Sequence, residues 1–159
     1  MKLVRPVVVP LRILLGVGFA AMVMGQFFSM PGQFAHMAKE QPEDAHLRWP
    51  LTIFSALELL CVQVVIVCTW RLLTMVKEDR IFSARSLVWV DAIVWAIGAG
   101  WIMLLGLFVY VGSRATDPGT PLLLMVMLLG GAVLGLLMVV MRALLQQATR
   151  LRTDMEAVI

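Results

Sequence analysis

The chain has 159 residues, with 13 lysines and arginines against 10 aspartates and glutamates, and a mean hydropathy of +0.93. Hydrophobic residues make up 61% and charged residues 14%, whereas soluble domains average about 45–50% and 25%. This composition excludes a soluble globular domain and predicts an all-α, polytopic membrane protein with a single transmembrane domain over residues 1–159.

Four segments are long enough to span a bilayer, which takes about 20 mainly apolar residues. We expect them to form a bundle, joined by an outer loop at 31–49 and an inner loop at 72–86. The first segment is longer than the 7–15-residue core of a signal peptide, and we interpret it as a retained helix. Helix 4 is expected to extend beyond the bilayer as a cytoplasmic helix at 144–159. The predicted transmembrane helices cover residues 7–30, 50–71, 87–112 and 121–143.

The lysines and arginines are distributed unequally between the two sides of these helices. Positive residues accumulate on the cytoplasmic side, so the sequence predicts that both termini and the 72–86 loop lie on the cytoplasmic side of the membrane. The net charge of +3 needs no nucleic acid partner, because anionic lipid accounts for it. The outer flanks carry Lys39, Arg48 and Arg114; the inner flanks carry Lys2, Arg5, Arg12, Arg71, Lys77, Arg80, Arg85, Arg142, Arg150 and Arg152.

Glu58 is the most suggestive single residue. It lies eight residues into the second predicted helix, about 12 Å below the outer boundary, and an ionisable group at that depth is a functional candidate by default. One interpretation is a small proton-coupled transporter. The favoured one is a neutral Glu58 that hydrogen-bonds across helices to Gln26 or is reached by Arg48. Gln63 is expected to be an interhelical hydrogen-bonding residue.

The other reactive groups within the helices predict pairing and packing. Asp91 lies one turn inside the third predicted helix, and we favour a structural ion pair with Arg71 or Arg12 over a side chain that snorkels to the headgroups. Cys61 and Cys68 are seven residues apart, which is about 10 Å along a helix and too far for a mutual disulfide.

No catalytic set is recognised, so we expect no enzyme activity, no cofactor and no metal site. There is no Ser–His–Asp set, no Gly-rich phosphate loop and no pair of catalytic carboxylates. No histidine falls within a predicted helix, which excludes a bis-histidine haem. The outer loop holds five metal-ligand types without HxxxH or HExxH spacing, and a solvated loop is favoured. These are His36, Glu40, Glu43, Asp44 and His46.

Small residues recur at helical spacing in the last two predicted helices. Gly131 and Gly135 form a GxxxG motif, and Ala92, Ala96 and Gly100 place a small residue at every fourth position. Such spacing lets two helices approach closely. Packing within the bundle and dimerisation explain it equally well.

The inner loop contains "VKEDRIFSARS", the most charged short window of the chain. Lys77, Arg80 and Arg85 are expected to fix its orientation, Phe82 to pack against the inner rim of the bundle, and Ser83 to cap the third helix. As an inner hairpin it is a poor candidate for catalysis. The four residues Lys77, Arg80, Phe82 and Arg85 are candidates for docking a cytoplasmic partner.

The C-terminal segment has an apolar seam with spacings of four and three, formed by Leu144, Ala148, Leu151, Met155 and Val158. Folding back on the protein or lying on the membrane is the favoured interpretation. A partner-binding or self-associating stalk is the alternative, for which Leu151 and Met155 are the docking candidates.

The window "LLTMVKEDRIFSARSLVWVDAI" resembles the central signature of the DUF2975 family of small bacterial four-helix membrane proteins. The last residues, "LRTDMEAVI", are similar to an ending common in that family. The start, "LRILLGVGFAAMVMGQF", has some likeness to DoxX-like proteins, but the central loop fits the first family better. The central resemblance is carried by Arg71, Lys77, Asp79, Ile81, Phe82, Ser83 and Arg85.

The resemblance implies no established activity and no catalytic residues to carry over. Its members are often encoded beside a small helix-turn-helix regulator, which suggests a membrane partner or sensor for such a regulator. The sequence therefore predicts a non-enzymatic sensor, regulatory or accessory subunit, with a small transporter centred on Glu58 as the alternative. A larger membrane complex and a homo-oligomer stay open as partners, and no direct nucleic acid binding is expected.

Overall fold

The computed structural model describes residues 5–40, 46, 48–78, 80–114 and 118–157. All regular secondary structure within these ranges is helical. A π-helical turn at Gly25–Ser29 joins the first two helices. The helices are α1 (Arg5–Met24), α2 (Met30–Glu40), α3 (Arg48–Lys77), α4 (Ala84–Gly112) and α5 (Gly119–Ala157).

Four of the helical segments are long and apolar enough to cross a membrane. At 1.5 Å per residue the shortest, of 29 residues, is about 44 Å long, which exceeds the ~30 Å hydrocarbon core of a bilayer. The chain is therefore a multi-pass membrane protein. The segments are Val7–Met37, Arg48–Lys77, Ala84–Gly112 and Gly119–Met155.

The first connection differs from the predicted outer loop at 31–49, because residues 30–40 form helix α2. Pro31 and Gly32 are residue types typical of a loop, yet a proline is tolerated in the first turn of a helix, where its missing N–H leaves no bond unmade. The preceding π-helical turn provides this position, with the Met30 N–H donating to the Gly25 carbonyl. Helix propagation thus continues past Pro31.

The inner connection is shorter than the predicted loop at 72–86. Helix α3 continues to Lys77 because the segment after Arg71 has no glycine or proline, and α4 begins at Ala84. The turn between them closes with hydrogen bonds from the Glu78 and Arg80 N–H groups to α3 carbonyls. Of this turn, Asp79 lies outside the described residues.

Ser83 occupies the N-cap position of α4, with extended backbone angles, but its hydroxyl makes no capping hydrogen bond. The fully buried Ser86 provides the local side-chain contacts, its hydroxyl lying within hydrogen-bonding distance of the Ser83 and Ile81 carbonyls. Ser83 therefore lies at the N-cap position that the sequence predicts, but the side-chain hydrogen bonds at this end of α4 are made by Ser86.

The spanning helices pack in chain order, α1 against α3, α3 against α4 and α4 against α5, while α2 also packs against α3. Buried side chains lie along these contacts, among them Cys68 of α3, Ile93 of α4 and Leu128 of α5. Most other large apolar side chains are exposed, as expected where lipid replaces water around apolar helices.

Candidate functional site

Polar side chains connect α1 to α3 through the π-helical turn. Gln26, within that turn, accepts a hydrogen bond of 2.9 Å from the Gln63 amide and donates one of 3.1 Å to the Ala56 carbonyl. Gln63 is buried. Gln63 thus makes an interhelical hydrogen bond of the kind expected. The sequence predicted Glu58 as the partner of Gln26, whereas the structure places Gln63 there.

Glu58 lies on the opposite side of α3, at the contact with α4. Its Oε1 is 3.3 Å from the position that a Cβ would occupy at Gly100, and the Cys61 Cβ is 3.6 Å from the same point. Its Oε2 is buried and has no hydrogen-bond partner among the described residues. Neither Gln26 nor Arg48 thus reaches it, and the carboxyl group can hold or release a proton beside a helix contact that only a small residue allows.

Asp91 forms an ion pair with Arg142 of α5, through two hydrogen bonds from the guanidinium group to the carboxylate. The expected partners, Arg71 and Arg12, were wrong. The first residue of α5 that can carry a charge is Arg142, and the packing of α4 against α5 brings it level with Asp91. Since a bidentate pair fixes both position and orientation, it ties α4 to α5 at one end of the spans.

Two arginines lie on tryptophan rings at this same end. Arg12 of α1 donates a hydrogen bond of 2.9 Å to Thr74 Oγ1 and lies 5.7 Å from the Trp70 ring centre. Arg71 lies 5.8 Å from the ring centre of Trp89 in α4. Sequence reasoning counted Arg12 among the inner-flank cations and as a possible partner of Asp91, and missed these contacts, although antiparallel neighbours bring position 12 near position 70.

The docking candidates of the inner turn are all on the surface. Lys77 ends α3, Arg80 lies in the turn and Arg85 lies in the first turn of α4, each with an exposed side chain. Phe82, expected to pack against the inner rim, is 42% exposed. An aromatic ring among three cations is thus accessible to a partner.

The docking candidates of the C-terminal segment are also exposed. Helix α5 passes residue 143 without a break, and Leu144, Leu151 and Met155 are 55%, 59% and 66% exposed. Val158 lies outside the described residues. Ala148 of the same seam is half-buried, so the three larger side chains are the part of the seam that is accessible to a partner.

The two glycines of the α5 GxxxG motif lie against large side chains of α4, whereas Gly100 of α4 lies against Glu58 of α3. An added Cβ at Gly131 would lie 3.1 Å from Trp101 Cδ1, and one at Gly135 would lie 3.4 Å from Ile97 Cγ2. The Trp101 indole N–H also donates a hydrogen bond of 2.9 Å to the Leu128 carbonyl. The GxxxG motif therefore packs within the chain, one of the two interpretations that its spacing left open.

Within the described ranges, no group of three His, Cys, Asp or Glu residues is placed to hold a metal ion. His36 and His46 are exposed. Glu43 and Asp44 lie outside the described residues, as does the side chain of Glu40. The absence of a metal site and of enzyme activity stay predictions.

Comparison with known proteins gives one family. The family model for DUF2975, a protein of unknown function, matches residues 32–159. No curated protein and no solved structure gives a significant match. The matched part includes α3, α4 and α5 and most of α2, whereas α1 precedes it. Since this is well over half of the chain, the protein belongs to the DUF2975 family.

Proposed function

We propose that this membrane protein is a non-enzymatic sensor, regulatory or accessory subunit that acts through protein contacts of its inner turn and C-terminal segment. The proposal places it in a bacterial cell membrane with both termini in the cytoplasm. Its partner would be a cytoplasmic helix-turn-helix regulator, as the family resemblance suggests, or a larger membrane complex.

The orientation is supported by the unequal distribution of lysines and arginines. Ten of the 13 are on the side of the termini and the inner turn, which positive residues mark as cytoplasmic. In intact spheroplasts, a membrane-impermeant maleimide should label Arg114→Cys and leave Arg80→Cys unlabelled until the cells are opened. The wild-type chain gives the background from Cys61 and Cys68. The reverse pattern would contradict the orientation.

The observation that carries the proposal is the continuity of α5. Its 39 residues correspond to about 58 Å, nearly twice the hydrocarbon thickness, so a large part of the helix projects beyond the bilayer. The projecting part presents Leu144, Leu151 and Met155 on one exposed seam. Exposed apolar residues at this spacing are typical of helices that dock on a partner helix or groove.

The test is capture of partners from the native membrane in mild detergent. We expect partners recovered with the full chain to be lost when residues 144–159 are removed, and also with Leu151→Glu/Met155→Glu. Thr153→Glu is the matched control, since Thr153 is exposed and lies opposite the seam. Identical partners with and without residues 144–159 would show that the segment has no such role.

A second function is favoured by one observation, the buried Glu58 Oε2, which has no hydrogen-bond partner in the described part of the chain. A carboxyl group in this state is available for proton exchange coupled to transport of a cation. In liposomes, Glu58→Gln should abolish proton-coupled flux while the protein stays folded. Glu78→Gln, at the exposed end of α3, is the control. Unchanged flux in Glu58→Gln would remove the transporter.

A further inference from the structure

An apolar groove of about 280 Å³ lies between α1 and α3. This volume is close to the lower limit of the ~300–1,000 Å³ typical of ligand pockets. Val67 and Trp70 are exposed, so the groove opens sideways toward the surroundings of the helices. We name it the α1–α3 groove. It is lined by Leu15, Gly16, Phe19, Ile66, Val67, Trp70 and Arg71.

Gly16 makes room for this groove. A Cβ at Gly16 would contact the Trp70 ring at 3.7 Å, so a larger side chain would extend into the space beside the ring. Gly18, two residues further along α1, has no atom within 4 Å of its Cβ position. The two glycines therefore differ in whether a side chain would meet the groove.

One end of the groove is cationic. Arg71 is part of the lining, and Arg12 lies one turn before Gly16 in α1, over the Trp70 ring. Both arginines belong to the same end of the spans, because α1 and α3 are antiparallel and Arg12 reaches Thr74.

These two arginines differ from Arg142, which pairs with a carboxylate. Among the described residues neither Arg12 nor Arg71 has a carboxylate partner. The Arg12 Nε is buried and has no hydrogen-bond partner in the same part of the chain. A buried guanidinium N–H without an acceptor costs free energy, and a phosphate oxygen is the acceptor that arginine geometry suits best.

We propose that the α1–α3 groove binds one acyl chain of an anionic phospholipid, whose phosphate accepts hydrogen bonds from Arg12 and Arg71. The apolar walls match the chain, and the lateral opening matches entry from the leaflet at that end. Charge complementarity selects a lipid with net negative charge over a zwitterionic one. This site is independent of the proposed partner contacts of the C-terminal segment.

The experiment is native mass spectrometry of the full chain in mild detergent with added lipids. Phosphatidylglycerol should bind as one retained molecule per chain, and phosphatidylcholine with the same acyl chains should bind much more weakly. Glycerol phosphate, which has the headgroup chemistry without an acyl chain, should not compete. Equal retention of both lipids, or competition by glycerol phosphate, would overturn the proposal.

Two matched pairs of variants localise the site. Arg12→Gln/Arg71→Gln should weaken phosphatidylglycerol binding by roughly tenfold or more, since two charge-assisted hydrogen bonds are lost. Arg80→Gln/Arg85→Gln removes the same charge from the exposed inner turn and should have little effect.

The second pair of variants replaces a glycine with leucine and so changes shape without changing charge. It tests the location of the lipid even if the arginine variant does not fold. Gly16→Leu should abolish retention by occupying the groove, and Gly18→Leu should preserve it. Retention that is unchanged in Gly16→Leu, or reduced equally by both leucines, would show that the lipid binds elsewhere.

Discussion

At the α4–α5 contact, the Trp101 ring lies 3.1 Å from the Cβ position of Gly131, whereas the nearest atom to the Cβ position of Gly16, at the α1–α3 contact, is 3.7 Å away. The α4–α5 contact also has an indole hydrogen bond and the Asp91–Arg142 ion pair. The α1–α3 contact is less extensive, borders a groove and relies on the hydrogen bonds of Gln26 and Arg12.

The difference shows two ways of holding apolar helices together where lipid weakens the hydrophobic drive between them. Close approach at small residues maximises dispersion and leaves no space for a ligand. Sparse polar bonds hold two helices in register and leave apolar surface accessible between them. The part of the chain that matches the family model contains both α4 and α5. Of the α1–α3 contact it contains only α3.

The largest effect is expected from filling the close contact. Gly131→Leu should force α5 away from Trp101, at a cost of about 1–3 kcal/mol for an overpacked site. Unfolding in detergent, followed by tryptophan fluorescence, measures the loss. Gly130→Leu is the control, because Gly130 has no atom within 4 Å of its Cβ position. Equal losses at both positions would contradict the assigned contact.

A smaller loss is expected from breaking the ion pair of the same contact. Asp91→Ala leaves the Arg142 guanidinium without its carboxylate, and the melting temperature should fall. The side chains are 44% and 38% exposed, so the surroundings replace part of the lost interaction. Asp91→Arg combined with Arg142→Asp should recover stability relative to either single reversal. Additive losses in the double variant would show that the two residues do not interact.

The polar bonds of the looser contact should contribute less again. Gln63→Leu should destabilise the protein by about 0.6 kcal/mol, the average for interhelical hydrogen bonds in a membrane protein. Gln26→Leu removes a second bond, to the Ala56 carbonyl, and should cost more than Gln63→Leu. A double-mutant cycle between Gln26 and Gln63 measures their coupling, and a coupling of zero would contradict the bond.

The smallest effect should have the opposite sign. Alanine is favoured over glycine within a helix by about 0.5–1 kcal/mol, and the 3.7 Å contact at Gly16 accommodates a methyl group. Gly16→Ala should therefore stabilise the protein slightly. Gly131→Ala should gain less or lose stability, because its methyl group would press on Trp101. Glycine-to-alanine substitution thus distinguishes the α1–α3 contact from the α4–α5 contact. A larger gain in stability at Gly131 than at Gly16 would contradict the assignment of α4–α5 as the closer contact.

Composition and segment length predicted an all-helical chain with four spanning segments, because the cost of burying polar groups in lipid leaves few alternatives. Helix ends were harder to predict. The turn at Gly25–Ser29 makes Pro31 compatible with a helix, and no sequence pattern marked this turn. After Arg71 the sequence becomes more polar, but the backbone stays helical as far as Lys77. The predicted inner loop was therefore too long.

The polar residues within the spans were identifiable from the sequence, but their partners were not. Depth along a helix follows from counting residues, whereas partner choice depends on helix rotation. Asp91 could be placed near the inner boundary, yet Arg12, Arg71 and Arg142 lie at comparable depth. The rotation that turns Asp91 toward α5 accompanies the contacts of Trp101 with Gly131 and Leu128, which a single sequence does not display.

The ion pair between Asp91 and Arg142 has a mechanical consequence for α5. It fixes the helix at one point, and the 15 residues that follow Arg142, up to Ala157, form a lever arm of about 22 Å. A tilt of about 10° at that point would displace the tip by about 4 Å, close to the 5.4 Å rise of one helical turn.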